Sequence, residues 1–401
     1  MGSAEAHAVA TVTPVPTSIS SQPLRVVIAG GGIAGLEALL ALRAEAGSLA
    51  DVTLVADSDT FFYRSLQVGE PFGLAKPRRY PLARLVEGVG ARFVRAAVAG
   101  VVADQHELAL ADRSSIEYDA LVLALGARSV PSFEHGTTFE PGAFDEILRD
   151  VREDFAEDVT VVVPRGVLWT LPAYELALMT AARCRENGVP VRVVTHEAAP
   201  LDIFGDDAAS VVARMLETAG VTVVAGVTAD VPRDGLVRAG DRWLPASRIA
   251  TLPVPAGPRL SGLPSTGDGY LDCDHHGRVR GVPDVWAAGD GTAQPIKQGG
   301  LAAQQADAAA SDIARHAGAP VRPRPFRPVL RGLLRSLDGP LYLRRALTAS
   351  DDAPAVSKEP LWWPPSKVAA RRLTAHLSRL DVERGTTRRL PAGGLALTPI
   401  R

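Results

Sequence analysis

The chain has 401 residues, of which 46% are hydrophobic and 22% are charged, and its formal net charge is -2. This length predicts two to three domains with a core large enough to enclose a cofactor, and the composition excludes a largely disordered chain. No run approaches the roughly 18 apolar residues of a membrane span, and no nucleic-acid partner is expected. The two cysteines, Cys184 and Cys273, exclude a disulfide framework or cysteine-rich metal site and favour a reducing, cytoplasmic location without a bound metal.

The first βαβ unit follows a polar start. Residues 1–22 mix Ala, Val, Thr, Pro and Ser without a basic start, and they are predicted to be a disordered leader rather than a signal peptide. Leu24–Ala29 (LRVVIA) reads as a strand, which is followed by glycines and then by apolar residues at helical spacing. Residues 51–56 read as a second strand that ends in Asp57. Strand, turn, helix and strand predict the start of a doubly wound sheet.

A second α/β unit is predicted from residue 158 onward. Short antiparallel strands before Tyr118 and a buried strand with Gly126 at its exit separate the two units. The second unit alternates strands and helices, with strands at 159–164, 191–196 and 221–226 and helices at 171–188 and 209–220. Residues 277–290 then return a strand to the first unit, and a helix follows at 300–318. The chain is therefore predicted to be an α/β protein with two Rossmann-like, doubly wound domains.

The glycines after the first strand have the spacing of a dinucleotide-binding turn. Gly30, Gly32 and Gly35 form GxGxxG, with Gly31, Ile33 and Ala34 completing the turn. Such a turn lets the backbone approach a pyrophosphate at a helix N-terminus, where free N–H groups and the helix dipole attract phosphate. Asp57 is the candidate for the ribose hydroxyls, with Asp59 as a competitor.

The second half of the cofactor signature is VWAAGDG at 285–291. Gly289 ends a hydrophobic strand, and the carboxylate of Asp290 is placed to bind the ribityl chain of a flavin. Gln298 and the N–H groups of Gly299 and Gly300 open the next helix towards the flavin, and Lys297 is a candidate cation beside the flavin pyrimidine. Together the two motifs favour FAD over NAD.

At these motifs the chain resembles the two-dinucleotide-binding-domain flavoproteins, in particular the branch of sulfide:quinone oxidoreductase and type II NADH dehydrogenase. GGGIAGLE, YDALVLALGA, VWAAGDG with KQGGLAAQQA, and WWPPSKVAARRL carry the resemblance. It implies a glutathione-reductase-like FAD/NAD(P)-binding fold, non-covalent FAD and a two-electron flavin cycle. The expected parts are a leader (1–22), an FAD-binding domain in two pieces (23–130 and 259–320), a degenerate NAD(P)-type domain (145–258) and a basic C-terminal segment (321–401).

Two departures from the family bear on the electron donor. The turn that opens the second unit keeps only Gly166, and Leu168 and Trp169 occupy the space that a pyrophosphate needs, which argues against NAD(P)H bound in the familiar mode. Neither Cys184 nor Cys273 follows the family's spacing for sulfide chemistry. Glu175, by its match to a glutamate of the relatives, is a candidate to relay protons, with a plain helix N-terminal acid as the alternative.

The C-terminal segment is strongly basic. Residues 321–401 hold 16 Lys or Arg against 6 Asp or Glu, whereas residues 1–320 hold 27 against 39. Residues 367–380 predict an amphipathic helix, with the apolar stripe Val368, Leu373, Leu377 and Leu380 and the basic rim Arg371, Arg372 and Arg379. This helix either contacts a membrane surface peripherally or packs on the acidic body of the protein. We favour packing on the body of the protein.

The first functional hypothesis is an FAD-dependent oxidoreductase with an unknown small-molecule donor and a quinone-like or soluble acceptor. A second keeps NAD(P)H as the donor. A third is a flavin-binding, redox-responsive interaction module without turnover. The sequence leaves all three open.

Overall fold

The computed structural model describes residues 22–76, 78–140, 142–336, 338–349 and 352–383. Its helices are α1 (Ile33–Glu45), α2 (Leu82–Glu87), α3 (Ala143–Arg152), α4 (Leu171–Cys184), α5 (Asp206–Thr218), α6 (Gly299–His316) and α7 (Leu373–Glu383). The predicted leader lies outside the described residues, except for Gln22.

The strands are numbered in chain order. Those of the first unit are β1 (Leu24–Ala29), β2 (Ala50–Ala56), β3 (Thr60–Phe62), β4 (Arg79–Pro81), β5 (Arg92–Arg95), β6 (Val98–Val102), β7 (Glu107–Leu110), β8 (Ser115–Glu117), β9 (Ala120–Leu123) and β10 (Arg128–Val130). The second unit holds β11 (Thr137–Thr138), β12 (Val159–Val162), β13 (Val191–Val194), β14 (Val221–Val224), β15 (Ala229–Arg233), β16 (Leu236–Ala239), β17 (Arg242–Pro245), β18 (Arg248–Thr251) and β19 (Val254–Ala256). The remaining strands are β20 (Val285–Ala287), β21 (Val329–Ser336), β22 (Gly339–Ala346) and β23 (Ala355–Ser357).

The first sheet is parallel and has the strand order β20-β9-β1-β2-β5. Successive residues of β1 serve opposite faces, since Val26 and Ile28 pack among α1 and α6 while Val27 and Ala29 pack against the antiparallel strands β6, β7 and β8. A strand covered on both faces reads as a continuous apolar run, which explains LRVVIA.

The second sheet repeats this architecture in the order β11-β18-β12-β13-β14, again parallel. Helices α4 and α5 lie against it, and the antiparallel strands β15, β16 and β17 contribute to a core on Val162 and Val194. The two doubly wound sheets predicted from the sequence are thus present. Strand β11 lies ahead of residue 145, at which the sequence placed the start of this domain.

The chain returns to the first sheet through β19, which pairs with β10, and then through β20, which pairs with β9. This crossing brings the ends of β1 and β20 to the same edge of the sheet. A Cβ atom built on Gly289 would lie 3.1 Å from the Cβ of Ala34, so the two halves of the predicted cofactor signature are in contact.

The C-terminal segment forms a three-stranded antiparallel sheet, β21-β22-β23, and the helix α7. Leu330, Leu334, Leu341 and Leu343 bury this sheet in the core around α4. The helix predicted over 367–380 begins only at Leu373. The reason is tertiary, because Lys367 turns inward to contact the carboxylate of Glu175.

The apolar stripe of this segment packs on the first unit. Val368, Leu373 and Leu377 are buried in the core around α1, and Leu380 packs against it. One residue of the basic rim, Arg372, pairs with the acidic body through Glu45 and Asp307. The intramolecular reading of this segment is confirmed for these residues. Among the described residues, none of the helices is long and apolar enough to span a membrane.

Candidate functional site

The glycine turn is shaped by two close backbone approaches. Gly30 has a φ of 121°, and a Cβ there would lie 2.2 Å from the carbonyl oxygen of Ala124 at the end of the neighbouring strand. A Cβ on Gly35 would lie 1.9 Å from the carbonyl oxygen of Gly30. A Cβ on Gly31 would lie 2.6 Å from Leu82 Cδ1, the end of a side chain that can turn away. Gly30 and Gly35, which meet backbone atoms, are explained by the fold alone.

Gly32 is different. Its φ of -85° and ψ of -167° suit any residue, and no heavy atom of the described residues lies within 4 Å of a Cβ placed there. Gly32 also precedes the first residue of α1, whose N-terminus receives no side-chain cap within the described part of the chain. Open space beside uncapped N–H groups at a helix N-terminus fits a pyrophosphate. The residues present therefore fit the phosphates of a dinucleotide.

The acidic residues after β2 differ in their partners. Asp57 follows β2 directly and is exposed. The carboxylate of Asp59 accepts a hydrogen bond from Thr60 Oγ1 at 2.8 Å and lies 3.6 Å from a guanidinium nitrogen of Arg95. This arrangement supports Asp57 as the acceptor for ribose hydroxyls, because its competitor is already engaged.

The second half of the site is the turn after β20. Gly126, at the exit of β9, and Gly289, at the end of β20, have φ values of 71° and 89°, which glycine adopts most readily. Burial raises the pKa of Asp290, and the charge of Lys297 partly offsets this effect. Burial lowers the pKa of Lys297 to about 8, which the charge of Asp290 opposes.

Lys297 is held in place by neutral groups as well as by this charge. Its Nζ donates to the carbonyl oxygen of Thr292 at 2.6 Å and lies 3.7 Å from the ring centroid of Tyr270. A cation over an aromatic ring with a carbonyl partner is fixed in orientation. The structure thus places Lys297 close enough to Asp290 for each charge to act on the other, a pairing that the sequence analysis did not predict.

The start of α6 is organised by two glutamines. Gln298 caps the helix, since its Oε1 accepts from Leu301 N at 2.8 Å, and its Nε2 donates to Arg331 O at 3.0 Å. Its side chain therefore makes two hydrogen bonds within the protein, and the backbone N–H groups around Gly299 are candidate donors for a cofactor. Gln305, which sequence reasoning missed, accepts from Gly289 N at 2.7 Å and donates to Thr292 Oγ1 at 3.0 Å, so it fixes the turn that carries Asp290.

Glu175 lies in a buried ion pair. Its Oε1 accepts from Arg335 N at 2.8 Å and from Lys367 Nζ, which also donates to Leu333 O at 2.6 Å. Within the described residues, Glu175 Oε2 is buried without a hydrogen-bond partner. Burial lowers the pKa of Lys367, whereas the charge of Glu175 raises it. Lys367 was missed from the sequence because it lies 192 residues from Glu175.

This ion pair lies near the start of α6 and borders a cavity. Val368 lies beside the start of α6, since a Cβ on Gly299 would be 3.2 Å from Val368 Cγ2 and 2.8 Å from Ile33 Cδ1. The cavity next to Lys367 has a volume of about 180 Å³, and we call it the Lys367 pocket. Its lining includes Tyr63, Leu66, Arg78, Tyr80, Arg335, Tyr342 and Lys367.

The acid that follows β13 in the second unit is engaged by other side chains of the protein. Glu197 lies three residues after the end of β13, whereas Asp57 follows β2 directly, and Glu197 is only 8% exposed. Its carboxylate accepts from Thr170 Oγ1 at 2.8 Å, Tyr174 Oη at 2.5 Å and Thr195 Oγ1 at 3.2 Å. Three hydroxyl groups of the protein thus donate hydrogen bonds to this carboxylate.

Neither cysteine has the character of a redox nucleophile. Cys184 is buried at the end of α4, and burial raises the pKa of its thiol to about 11. Burial and the neighbouring Asp272 and Asp274 raise the pKa of Cys273 to about 12. Both thiols are protonated at neutral pH, and a protonated thiol is a poor nucleophile.

A second buried acid, Glu37, links the C-terminal helix to α1, the helix that follows the glycine turn. Its two carboxylate oxygens accept from Arg372 N at 2.7 Å and from Leu373 N at 2.6 Å, which are the backbone groups at the start of α7. Burial, with a contribution from the charge of Asp307, raises the pKa of Glu37 to about 7. The sequence analysis quoted this residue in GGGIAGLE without assigning it a role.

Two doubly wound sheets, a glycine turn with open space at Gly32 and a partly buried acid after β20 are typical of an FAD-dependent oxidoreductase with two dinucleotide-binding folds. The chain belongs to the pyridine nucleotide-disulphide oxidoreductase family, whose pattern matches residues 24–310. The family predicted from the sequence motifs is therefore confirmed, and so is FAD as the cofactor.

Among known proteins, the chain is similar to an NADH dehydrogenase-like protein of Mycobacterium tuberculosis, with 28% identity over 291 residues that cover 66% of this chain and 72% of the relative. It is also similar to rhodocoxin reductase of Rhodococcus erythropolis, with 30% identity over 44% of this chain and 42% of the relative. In fold it is similar to sulfide:quinone oxidoreductase of Aquifex aeolicus, with a TM-score of 0.73, 19% identity and coverage of 90% of each chain.

Proposed function

We propose that the protein passes two electrons through non-covalent FAD from a small-molecule donor to a quinone-like acceptor in the Lys367 pocket. FAD supplies the two-electron redox chemistry when it is bound. The observation that carries the acceptor assignment is the buried ion pair of Glu175 and Lys367. It lies near the start of α6, because Val368, the residue after Lys367, is next to Gly299.

The residues of the pocket suit a ligand that gains protons as well as electrons. Quinone reduction needs two protons, and Lys367 Nζ is a proton donor whose lowered pKa makes the proton easier to give up. Each proton that Lys367 gives up is replaced from solvent by way of the Glu175 carboxylate, which accepts a hydrogen bond from Nζ and has a second oxygen available within the described structure. Two such passes supply the two protons. Tyr63 and Tyr342 supply aromatic surface for a flat ring.

The test is reoxidation of the holoprotein. The flavin is bleached with dithionite without oxygen and then mixed with a short-chain ubiquinone analogue, while absorbance is followed at about 450 nm, where oxidised flavin absorbs. We expect Glu175→Gln and Lys367→Met to slow reoxidation by about 10²- to 10⁴-fold, as loss of a proton-transfer group does. Ferricyanide, which accepts an electron without a proton, should reoxidise all variants at the wild-type rate.

The double variant Glu175→Gln/Lys367→Met is the matched control for stability. Each single change leaves a lone buried charge, which costs about 3–5 kcal/mol, whereas the double change leaves none. If quinone and ferricyanide are slowed equally, or if the double variant reoxidises with quinone as fast as wild type, the proton-relay assignment is wrong. FAD content is measured in each variant to separate loss of cofactor from loss of reaction.

The relatives favour other partners. The name of the M. tuberculosis relative supports NADH as the donor, and that of rhodocoxin reductase supports a protein acceptor. Against the first stands Glu197, whose carboxylate already accepts hydrogen bonds from three hydroxyl groups of the protein. We therefore expect NADH and NADPH to bleach the flavin slowly and without saturation at millimolar concentrations. Saturating reduction at micromolar NADH and tens per second, which are ordinary enzyme values, would establish a nicotinamide donor.

Peripheral membrane contact needs a surface other than the stripe of α7. Leu373 and Leu377 are buried, whereas Trp363, in the segment before this helix, is 63% exposed. We propose that any membrane contact of the described C-terminal segment is made by Trp363. Binding of the protein to lipid vesicles should then fall on Trp363→Ser and should not change on Leu49→Ser, a substitution of another exposed apolar residue.

A further inference from the structure

A second cleft lies between the two units, apart from the Lys367 pocket. One wall is formed by Val167, Leu168 and Trp169, in the loop before α4. The other end is lined by Asp290 and Lys297, in the segment between β20 and α6. The volume is about 260 Å³, slightly below the roughly 300–1,000 Å³ of sites for drug-sized molecules. We call this cavity the Trp169 cleft.

The walls of the Trp169 cleft are mainly apolar and partly rigid. They include Val68, Phe139, Leu252 and the prolines Pro172, Pro253, Pro255 and Pro295. Trp169 is held edge-on against Phe204, with ring centroids 6.1 Å apart. Such walls fit a small apolar body without rearrangement.

The charged side chains that line the cleft are mainly positive. Arg64, Arg128 and Lys297 line it, against Asp290 as the only acid among its lining residues. Arg64 and Arg128 are exposed, and Arg128 Nε donates to Gly257 O at a long 3.3 Å. Their guanidinium groups are suited to a carboxylate, which they bind through paired N–H donors.

A dinucleotide does not fit the neighbouring loop. Pro172, at the second position of α4, has no N–H to offer a phosphate. Thr170, the residue before the helix, directs its hydroxyl to Glu197. The first unit provides the internal comparison, since Asp57 is exposed there and Gly32 leaves open space. The chain therefore retains one dinucleotide site and has filled the other with its own side chains.

We infer that the Trp169 cleft binds a small, largely apolar carboxylate in place of a dinucleotide. The carboxylate lies between Arg64 and Arg128, and the apolar body lies along the prolines and Trp169. This inference rests on the proposed function, because the end of the cleft that is lined by Asp290 and Lys297 belongs to the FAD site. It narrows the small-molecule substrate on this side of the flavin to an organic acid.

The test uses FAD-loaded protein, benzoate as the probe and benzamide as its uncharged counterpart. Binding is followed by perturbation of the flavin absorption and by calorimetry. We expect benzoate to bind at least about tenfold more tightly than benzamide, and Arg128→Gln and Arg64→Gln each to weaken benzoate about tenfold, as loss of a charged hydrogen bond does. Arg233→Gln, a change of an exposed arginine on β15 outside the cleft, should leave the affinity unchanged.

ADP-ribose is the competing ligand in the same experiment. Binding of ADP-ribose that displaces benzoate would overturn the inference, and so would equal affinities for benzoate and benzamide or no effect of either arginine substitution. Protein that holds no FAD would be recognised beforehand from its absorption and would count against the proposed function rather than against this cleft.

Discussion

Gly32 gives the sharpest test of the cofactor site, because the protein itself provides no reason for a glycine there. Its backbone conformation is open to all residues, and no heavy atom of the described structure lies within 4 Å of the added Cβ. Gly32→Val should therefore change the free energy of unfolding of the FAD-free protein by no more than about 0.5 kcal/mol. In the presence of FAD, the valine side chain would occupy the space of the pyrophosphate.

The expected loss of affinity follows from the contacts that would be displaced. Two charged hydrogen bonds from N–H groups at the start of α1 are worth about 1.5–3 kcal/mol each, so the variant should bind FAD about 10²- to 10⁴-fold more weakly. FAD titration followed by flavin fluorescence measures the affinity, and denaturant unfolding measures the stability. Gly35→Ala is the contrasting control, since its Cβ would lie 1.9 Å from Gly30 O and should disrupt the fold itself. Wild-type FAD affinity in Gly32→Val, or a collapse of its stability without FAD, would refute the reasoning.

Three further predictions concern acids and thiols. Because the pKa of Glu37 is raised from 4.5 to about 7, the folded state holds this proton more tightly, and stability should fall by about 3 kcal/mol as the pH rises from 4.5 through 7. Glu37→Gln should remove this slope, and parallel unfolding free energies for the two proteins at pH 5 and 8 would contradict the assignment. Asp290→Ala should lower the ratio of FAD to protein, while the melting temperature of the FAD-free variant stays within a few degrees of that of the FAD-free wild type. Unchanged FAD occupancy with a collapsed melting temperature would show that Asp290 has a structural role. Replacing Cys184 and Cys273 by alanine should leave the rate of flavin reoxidation by quinone within about twofold of wild type, since both thiols are protonated at neutral pH; a tenfold loss at full FAD content would show a thiol in the reaction.

The sequence by itself determined the elements that depend on local patterns. The runs LRVVIA and VTVVV have the composition of strands covered on both faces. The glycine spacing after the first run predicted a tight turn, and close backbone approaches at Gly30 and Gly35 do require glycine there. The Gly-Asp after β20 was assigned from its strand and following helix in the same way. Each of these signals lies within about 20 consecutive residues, where periodicity and turn chemistry are informative.

Only the tertiary structure decided how distant residues share the work. Lys367 meets Glu175 across 192 residues and Glu37 holds the start of α7 across 335, and neither pairing leaves a local pattern. The same holds for Glu197, whose place after β13 suggests a nucleotide site but whose carboxylate is consumed by Thr170 and Tyr174. Buried polar groups must find partners, and the fold, rather than the spacing along the chain, determines which partners are within reach.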